Sequence, residues 1–173
     1  LCTPLLPRSP PPPPSIFFSK LTTGPYVVHF CVPGVVFLSI EHHRRYVLPH
    51  SRTVIAQVAP AAPVIHFTTG NPALLPLVRE ASGDAIGVDW RIDLDAAWRT
   101  IGYDRAIQGN LDPAVLLSSP RVVRQRAIEI LQQAAGRPGH IFNLGHGVLP
   151  QTPVENVLAL VQTVREFRPQ QDG

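Results

Sequence analysis

Between Ser39 and Arg168 the sequence repeats one pattern: a short apolar run, a few polar residues, then a helix with its own start signal. The apolar runs are 63–67, 85–90, 105–111 and 140–147. The helices after them are announced by Asn71-Pro72, by Asp93, by Ser119-Pro120 and by Thr152-Pro153-Val154-Glu155. The last has the form of a capping box with proline at the first helical position. Gly83 and Gly136 stand where two of the helices should stop. One more helix is expected over 39–58, kinked or split at Pro49. Strands that alternate with helices run parallel, because each helix carries the chain back to the same end of the sheet. The expected fold class is therefore α/β, a partial (β/α)8 TIM barrel of about four βα units. A full barrel takes about 250 residues, and this chain has 173.

The first 38 residues do not follow this rhythm. Pro10 to Pro14 is a polyproline run with no amide hydrogens to offer a sheet. Ile16 to Phe18 and Tyr26 to Phe30 are short enough to be strands, with Gly24-Pro25 as a break between them. The expected organisation is an irregular, proline-rich segment over 1–38, a barrel segment over 39–168 and a tail over 169–173. The chain contains no methionine. With the proline run, this makes a fragment, or a half-gene joined to a foreign or mistranslated leader, the expectation for residues 1–38.

Several function classes lose their support here. The net charge is +3, with 15 Lys and Arg residues and no basic run, so a nucleic-acid partner is not expected. No apolar stretch reaches the roughly 18 residues of a membrane span; the longest, Tyr26 to Leu38, is broken by His29 and Pro33-Gly34. Cys2 and Cys31 have no metal-type spacing, so neither a thiolate zinc site nor a disulfide framework is expected. A cytoplasmic protein is the expectation, or a plastid one in a photosynthetic eukaryote.

Candidate site residues lie where each strand ends, the edge on which parallel α/β folds keep their sites. These are His66 and Thr68, Asp89, Gln108 and Asn110, then Asn143, Gly145, His146 and Gly147. His146, between two glycines on a turn, either meets a ligand or only caps a loop. Asp89 is either a catalytic carboxylate or a group that binds neighbouring loop amides. Gln108, Asn110 and Asp112 read as a polar cluster holding the barrel mouth, Asn143 as a residue orienting the turn, and His66 as a packed strand histidine.

The runs P-V-I-H-F at 63–67, G-V-D-W at 87–90, I-Q-G-N-L-D-P at 107–113 and F-N-L-G-H-G-V-L-P-Q-T-P-V-E-N-V at 142–157 resemble the carboxyl-terminal half of uroporphyrinogen decarboxylases. The resemblance extends from about Ser39 to Phe167. It implies a (β/α)8 barrel, usually a homodimer, that uses no metal or organic cofactor. Its substrate would be uroporphyrinogen III, whose four acetate side chains are decarboxylated to give coproporphyrinogen III in haem and chlorophyll synthesis. A protonated pyrrole accepts the electrons left by carbon dioxide, so the protein supplies proton donors, charge and orientation. His146 would then lie beside the substrate and hydrogen-bond a carboxylate. Gly145, Gly147, Asn143, Asp89, Gln108 and Asn110 would support the site.

The family's aspartate, which gathers the pyrrole N–H groups, belongs to motifs of its amino-terminal half that do not occur in this sequence, as do its arginines and tyrosine. Where the family has a small hydroxyl residue after a phenylalanine, this chain reads Phe30-Cys31-Val32-Pro33-Gly34. Two alternatives stay open: an inactive half-barrel or one that needs a complementary chain, and a zinc-dependent cobalamin methyltransferase of the same superfamily. The second would need a His-x-Cys pair where the chain has His66-Phe67-Thr68.

Overall fold

The computed structural model describes residues 27–32 and 37–169. The polyproline run, Ile16–Phe18, Gly24-Pro25 and Pro33-Gly34 lie outside the described residues. Five strands form one parallel sheet in sequence order: β1 (Val28–Cys31), β2 (Val64–Phe67), β3 (Ala85–Gly87), β4 (Ala106–Leu111) and β5 (His140–Leu144). β1 overlaps the candidate strand at 26–30, ahead of the four repeating units, and its four residues pair in parallel with β2. The helices are α1 (Ile40–Tyr46), α2 (Leu48–Val58), α3 (Leu75–Ala81), α4 (Leu94–Ile101), α5 (Pro120–Ala134) and α6 (Val154–Glu166). The chain does split ahead of Pro49, which falls in the first turn of α2, where its missing N–H costs nothing. Pro76 likewise sits in the first turn of α3, because Pro72–Leu74 forms a separate 3₁₀ turn.

Three helix signals act differently from their expected form. Pro153, not Thr152, occupies the N-cap of α6, and no side chain caps it. Thr152 Oγ1 is buried without a partner, so the capping box does not form. Ala135 takes the left-handed position that ends α5, with φ of 52°, one residue before Gly136. Asp93 stands at the N-cap of α4 without a side-chain hydrogen bond to it.

All three apolar clusters join helices to the same side of the sheet. Val64 packs with Leu48, Ile55 and Val58 of α2 and Leu77 and Ala81 of α3. Ile86, Val88 and Ile107 pack with Leu75 and Val78 of α3, Leu94 and Trp98 of α4, and Ala134 of α5. Leu111 packs with Val123 and Ala127 of α5 and Leu160 of α6, with Phe142 and Leu144 alongside. Strand residues alternate between faces, so the paired positions His29, Ile65 and Ala85, and Cys31, Phe67, Gly87, Gln108 and Ile141, lie on the other face. A parallel sheet whose helices all stack on one face is a length of barrel wall. A doubly wound sheet would carry helices on both.

His66 belongs to the covered face. It is 2% exposed, and its Nδ1 donates to the Ser82 carbonyl at 3.3 Å. Burial pulls its pKa from 6.5 down to about 4. The unfolded chain therefore binds more protons in between, and stability present above the ordinary imidazole value is lost as pH falls toward 4. Lowering the pH from about 7.5 to about 5 should cost roughly 2 kcal/mol through this residue. Urea midpoints at the two pH values check it. His66→Gln should flatten the slope, and an unchanged slope in that variant would show that His66 is not the source.

Candidate functional site

Because the strands are parallel, the loops after β2, β3, β4 and β5 open at one end of the sheet. Asp89, two residues past β3, ties the first two together. It is 4% exposed. Its Oδ2 accepts from the Thr69 hydroxyl (2.8 Å) and the Gly70 amide (2.7 Å), and Oδ1 accepts from the Arg91 amide (3.0 Å). The Arg91 guanidinium also donates to Oδ2 and lies over the Trp90 ring, 4.4 Å from its centroid. Burial by itself raises the Asp89 carboxyl, but the hydrogen bonds from Gly70, Thr69 and Arg91 outweigh it and hold the group below the ordinary carboxylate range. Asp89 is thus an ionised anchor whose oxygens face loop donors.

Asn110, at the end of β4 and also 4% exposed, joins the next pair of loops. Its Nδ2 donates to the Asp89 carbonyl (2.9 Å) and the Ile92 carbonyl (2.6 Å). The expected cluster of Gln108, Asn110 and Asp112 does not form, since each binds elsewhere. Gln108 points from β4 to the uncovered face and meets His29. Asp112 turns back to accept from the Ala114 amide at 2.9 Å, starting the 3₁₀ turn Pro113–Leu117. Alternation alone would set the three on one side, since they are two residues apart; the partners each one finds, in β1, in the loop after β3 and in its own turn, are what separate them.

The Gly-His-Gly turn follows β5 and is seated against β3's tip. The Gly145 amide donates to the Leu111 carbonyl at 2.7 Å. A Cβ at Gly145 would lie 2.8 Å from the Trp90 amide nitrogen and 3.0 Å from Asp89 Cα. Only glycine allows that approach, so Gly145 is a packing requirement. Gly147 has open space around its Cβ position and carries no such demand. His146 is exposed. Asn143, also exposed, accepts from the Leu144 amide through Oδ1 at 2.9 Å. Asp89, Trp90, Gly145 and His146 therefore stand together at one end of the sheet. His66 does not join them, as its ring faces the helix layer, and Thr68 two residues on is no thiol.

A cavity of about 140 Å³ lies between these tips and α5, lined by Trp90, Asn110, Asp112, Arg126, Glu129 and Gln133. It is well under the roughly 300 Å³ at which drug-sized ligand pockets begin, and it lies on the helix side of the loops. Among the described residues, no three His, Cys, Asp or Glu side chains form a metal-ligand group. The sequence reading missed Thr69, Arg91 and Asn156. Asn156 is buried in α6 and donates to the Leu116 and Ser118 carbonyls at 2.9 and 2.7 Å, fastening α6 to the loop after β4. A polar residue on the apolar stripe of a helix was its only signal.

Comparison with known proteins settles the kinship of this chain. The uroporphyrinogen decarboxylase family matches residues 26–167, which takes in β1 as well as the barrel segment from Ser39 to Phe167. The chain belongs to the uroporphyrinogen decarboxylase family. A uroporphyrinogen decarboxylase of Carboxydothermus hydrogenoformans is 48% identical over 150 residues, 86% of this chain and 43% of that protein. One from Chloroflexus aggregans is 52% identical over 135 residues, 75% of this chain and 38% of its own length. The chain thus spans less than half the length of these curated relatives. A solved methyltransferase from Methanosarcina mazei shares the fold, with a TM-score of 0.72 and 22% identity over 82% of this chain and 42% of that one. Decarboxylase-family kinship and the barrel-wall architecture agree with the resemblance carried by the strand tips.

Proposed function

We propose that this chain forms the carboxyl-terminal wall of a uroporphyrinogen decarboxylase pocket, in which His146 hydrogen-bonds a carboxylate of the tetrapyrrole. The observation that carries this is the seating of Gly145 against Asp89 and Trp90, which holds an exposed His146 among the strand tips of a chain of that family. In this reading Asp89 and Asn110 keep three loops in register, Gly145 fits the turn against β3, and Asn143 and Gly147 shape it. Gln108 lines the wall. Uroporphyrinogen III loses its acetate carboxyl groups as carbon dioxide, with a protonated pyrrole as electron sink. The protein's part is to orient the side chains and handle protons. No metal or organic cofactor is needed.

Five strands make an open wall, and eight close such a barrel. The remaining strands would come from a complementary chain. The completed barrel would pair as a homodimer, in a cytoplasmic or plastid compartment; no helix among the described residues is long and apolar enough to cross a membrane. The open wall also supports the reading that the isolated chain is inactive until complemented. The methyltransferase reading has less support, because His66 faces away from the uncovered face and Thr68 stands where a thiolate would be needed.

The test mixes the chain with a polypeptide carrying the amino-terminal half of the Carboxydothermus relative and assays uroporphyrinogen decarboxylation. Activity is expected in the mixture and not in the chain alone. His146→Ala should lower kcat/KM of the mixture by about tenfold to a hundredfold, the value of one charge-assisted hydrogen bond. A stoichiometric complex without turnover would overturn the reading. Full turnover by the chain alone would remove the need for a second part.

A further inference from the structure

The uncovered face carries a second group of reactive side chains near β1. His29 and Cys31 are two residues apart on this strand, so both project to that face. His29 Nδ1 lies 3.1 Å from Cys31 Sγ. The His29 ring stacks on Phe67 of β2, with centroids 5.6 Å apart and planes at 27°. Its Nε2 lies 3.3 Å from Gln108 Nε2, on β4. Gly87 makes this reach possible. It pairs with Phe67 on one side and Gln108 on the other, and a Cβ there would come 2.8 Å from Phe67 Cδ2. With β3 flat at that level, Gln108 reaches across it to the imidazole.

A thiol, an imidazole against it and an amide on the far ring nitrogen reproduce the logic of nucleophile, base and orienting group. The Gln108 amide is near-isosteric in its two orientations. With its oxygen toward His29 it accepts Nε2–H, which leaves Nδ1 unprotonated and facing sulfur. Burial pushes the Cys31 thiol up from its ordinary value, so preformed thiolate is scarce at neutral pH. Reaction then depends on proton transfer to His29 within the step. Among the described residues, no other titratable side chain shares this part of the face. β2 contributes Ile65 and Phe67, β3 Ala85 and Gly87, and β4 Gln108, while His66 turns to the helix side.

We propose that Cys31, His29 and Gln108 form a thiol site that takes soft electrophiles, organic disulfides in particular, independently of the decarboxylase reading. The Cys31 proton passes to His29 Nδ1 as sulfur attacks one sulfur of the disulfide. A new S–S bond forms, the old one breaks, and the departing thiolate takes the proton back from the imidazolium. The products are a mixed disulfide on Cys31 and one free thiol.

The test adds hydroxyethyl disulfide to the full chain and follows the mass of the peptide carrying Cys31, with the Cys2 peptide as internal reference. At neutral pH, His29→Phe should slow Cys31 by at least about tenfold, the lower edge of what a positioned base contributes. Gln108→Leu should slow it severalfold, and Gln108→Glu, whose carboxylate accepts Nε2–H, should restore the rate or exceed it. Equal Cys31 rates in the parent and a folded His29→Phe variant would overturn the proposal. So would a Gln108→Glu chain in which Cys31 reacts no faster than in Gln108→Leu, since the carboxylate accepts Nε2–H and the leucine cannot.

Discussion

Trp98→Ala is expected to remove about 3–5 kcal/mol of stability, enough to leave little of the 5–15 kcal/mol typical of a folded domain. Trp98 is 0% exposed. It fills the space between α4, β3, β4 and α5 together with Ile86, Ile107 and Ala134. Its indole N–H donates to the Arg105 carbonyl at 2.8 Å, which pins the entry to β4. The ring also contacts Tyr103 and His140, with centroids 5.8 and 6.3 Å away. Truncation therefore opens a cavity at the junction of four elements and strands a carbonyl. Trp98→Phe keeps much of the packing and loses the hydrogen bond, so it should cost only about 1–2 kcal/mol. Urea unfolding of the parent and both variants, followed by far-ultraviolet circular dichroism, gives the comparison. A Trp98→Ala variant within about 1 kcal/mol of the parent would mean that the cluster repacks and is not the structural centre that its burial implies.

Asp89→Ala should cost about 2–4 kcal/mol, mostly by stranding donors. The Gly70 amide, Thr69 hydroxyl and Arg91 amide all turn to this carboxylate. The Arg91 guanidinium is 44% exposed, so water screens its share and the amide bonds dominate. Asp89→Asn should be nearly as harmful, since an amide NH2 placed at Oδ2 would meet the Gly70 N–H donor to donor. The carboxyl's folded pKa is lowered, so its stabilisation is present above the ordinary carboxylate value and disappears as pH falls through the folded one. Hydrogen exchange at the Gly70 amide gives the local readout. Protection there should collapse in both variants, and retained protection would show that the loop is held by something else. Because Gly145 packs on the same backbone, loosening of the Gly-His-Gly turn should accompany it.

The strand tips show how far the sequence could lead. Parallel order, the helix after each strand and the family were readable, because they rest on local periodicity and on motifs such as Q-G-N-L-D-P and N-L-G-H-G. The packed role of His66 was readable too, from its place between isoleucine and phenylalanine in an apolar run. The capping box read at Thr152-Pro153-Val154-Glu155 does not form. There the fixed φ of Pro153 sets the N-cap, and the hydroxyl is left unused.

What the sequence determined by itself is the kind of wall this chain builds, since apolar spacing and helix signals act over a few residues at a time. Partners far apart in the chain were decided only by the tertiary structure. Gln108 meets His29 across 79 positions, Asp89 collects Thr69 and Gly70 from another loop, and Gly145 is required by Trp90. Each depends on which face a strand residue takes and which loops the register brings side by side. Parallel pairing fixes those through the whole sheet and not through any one segment.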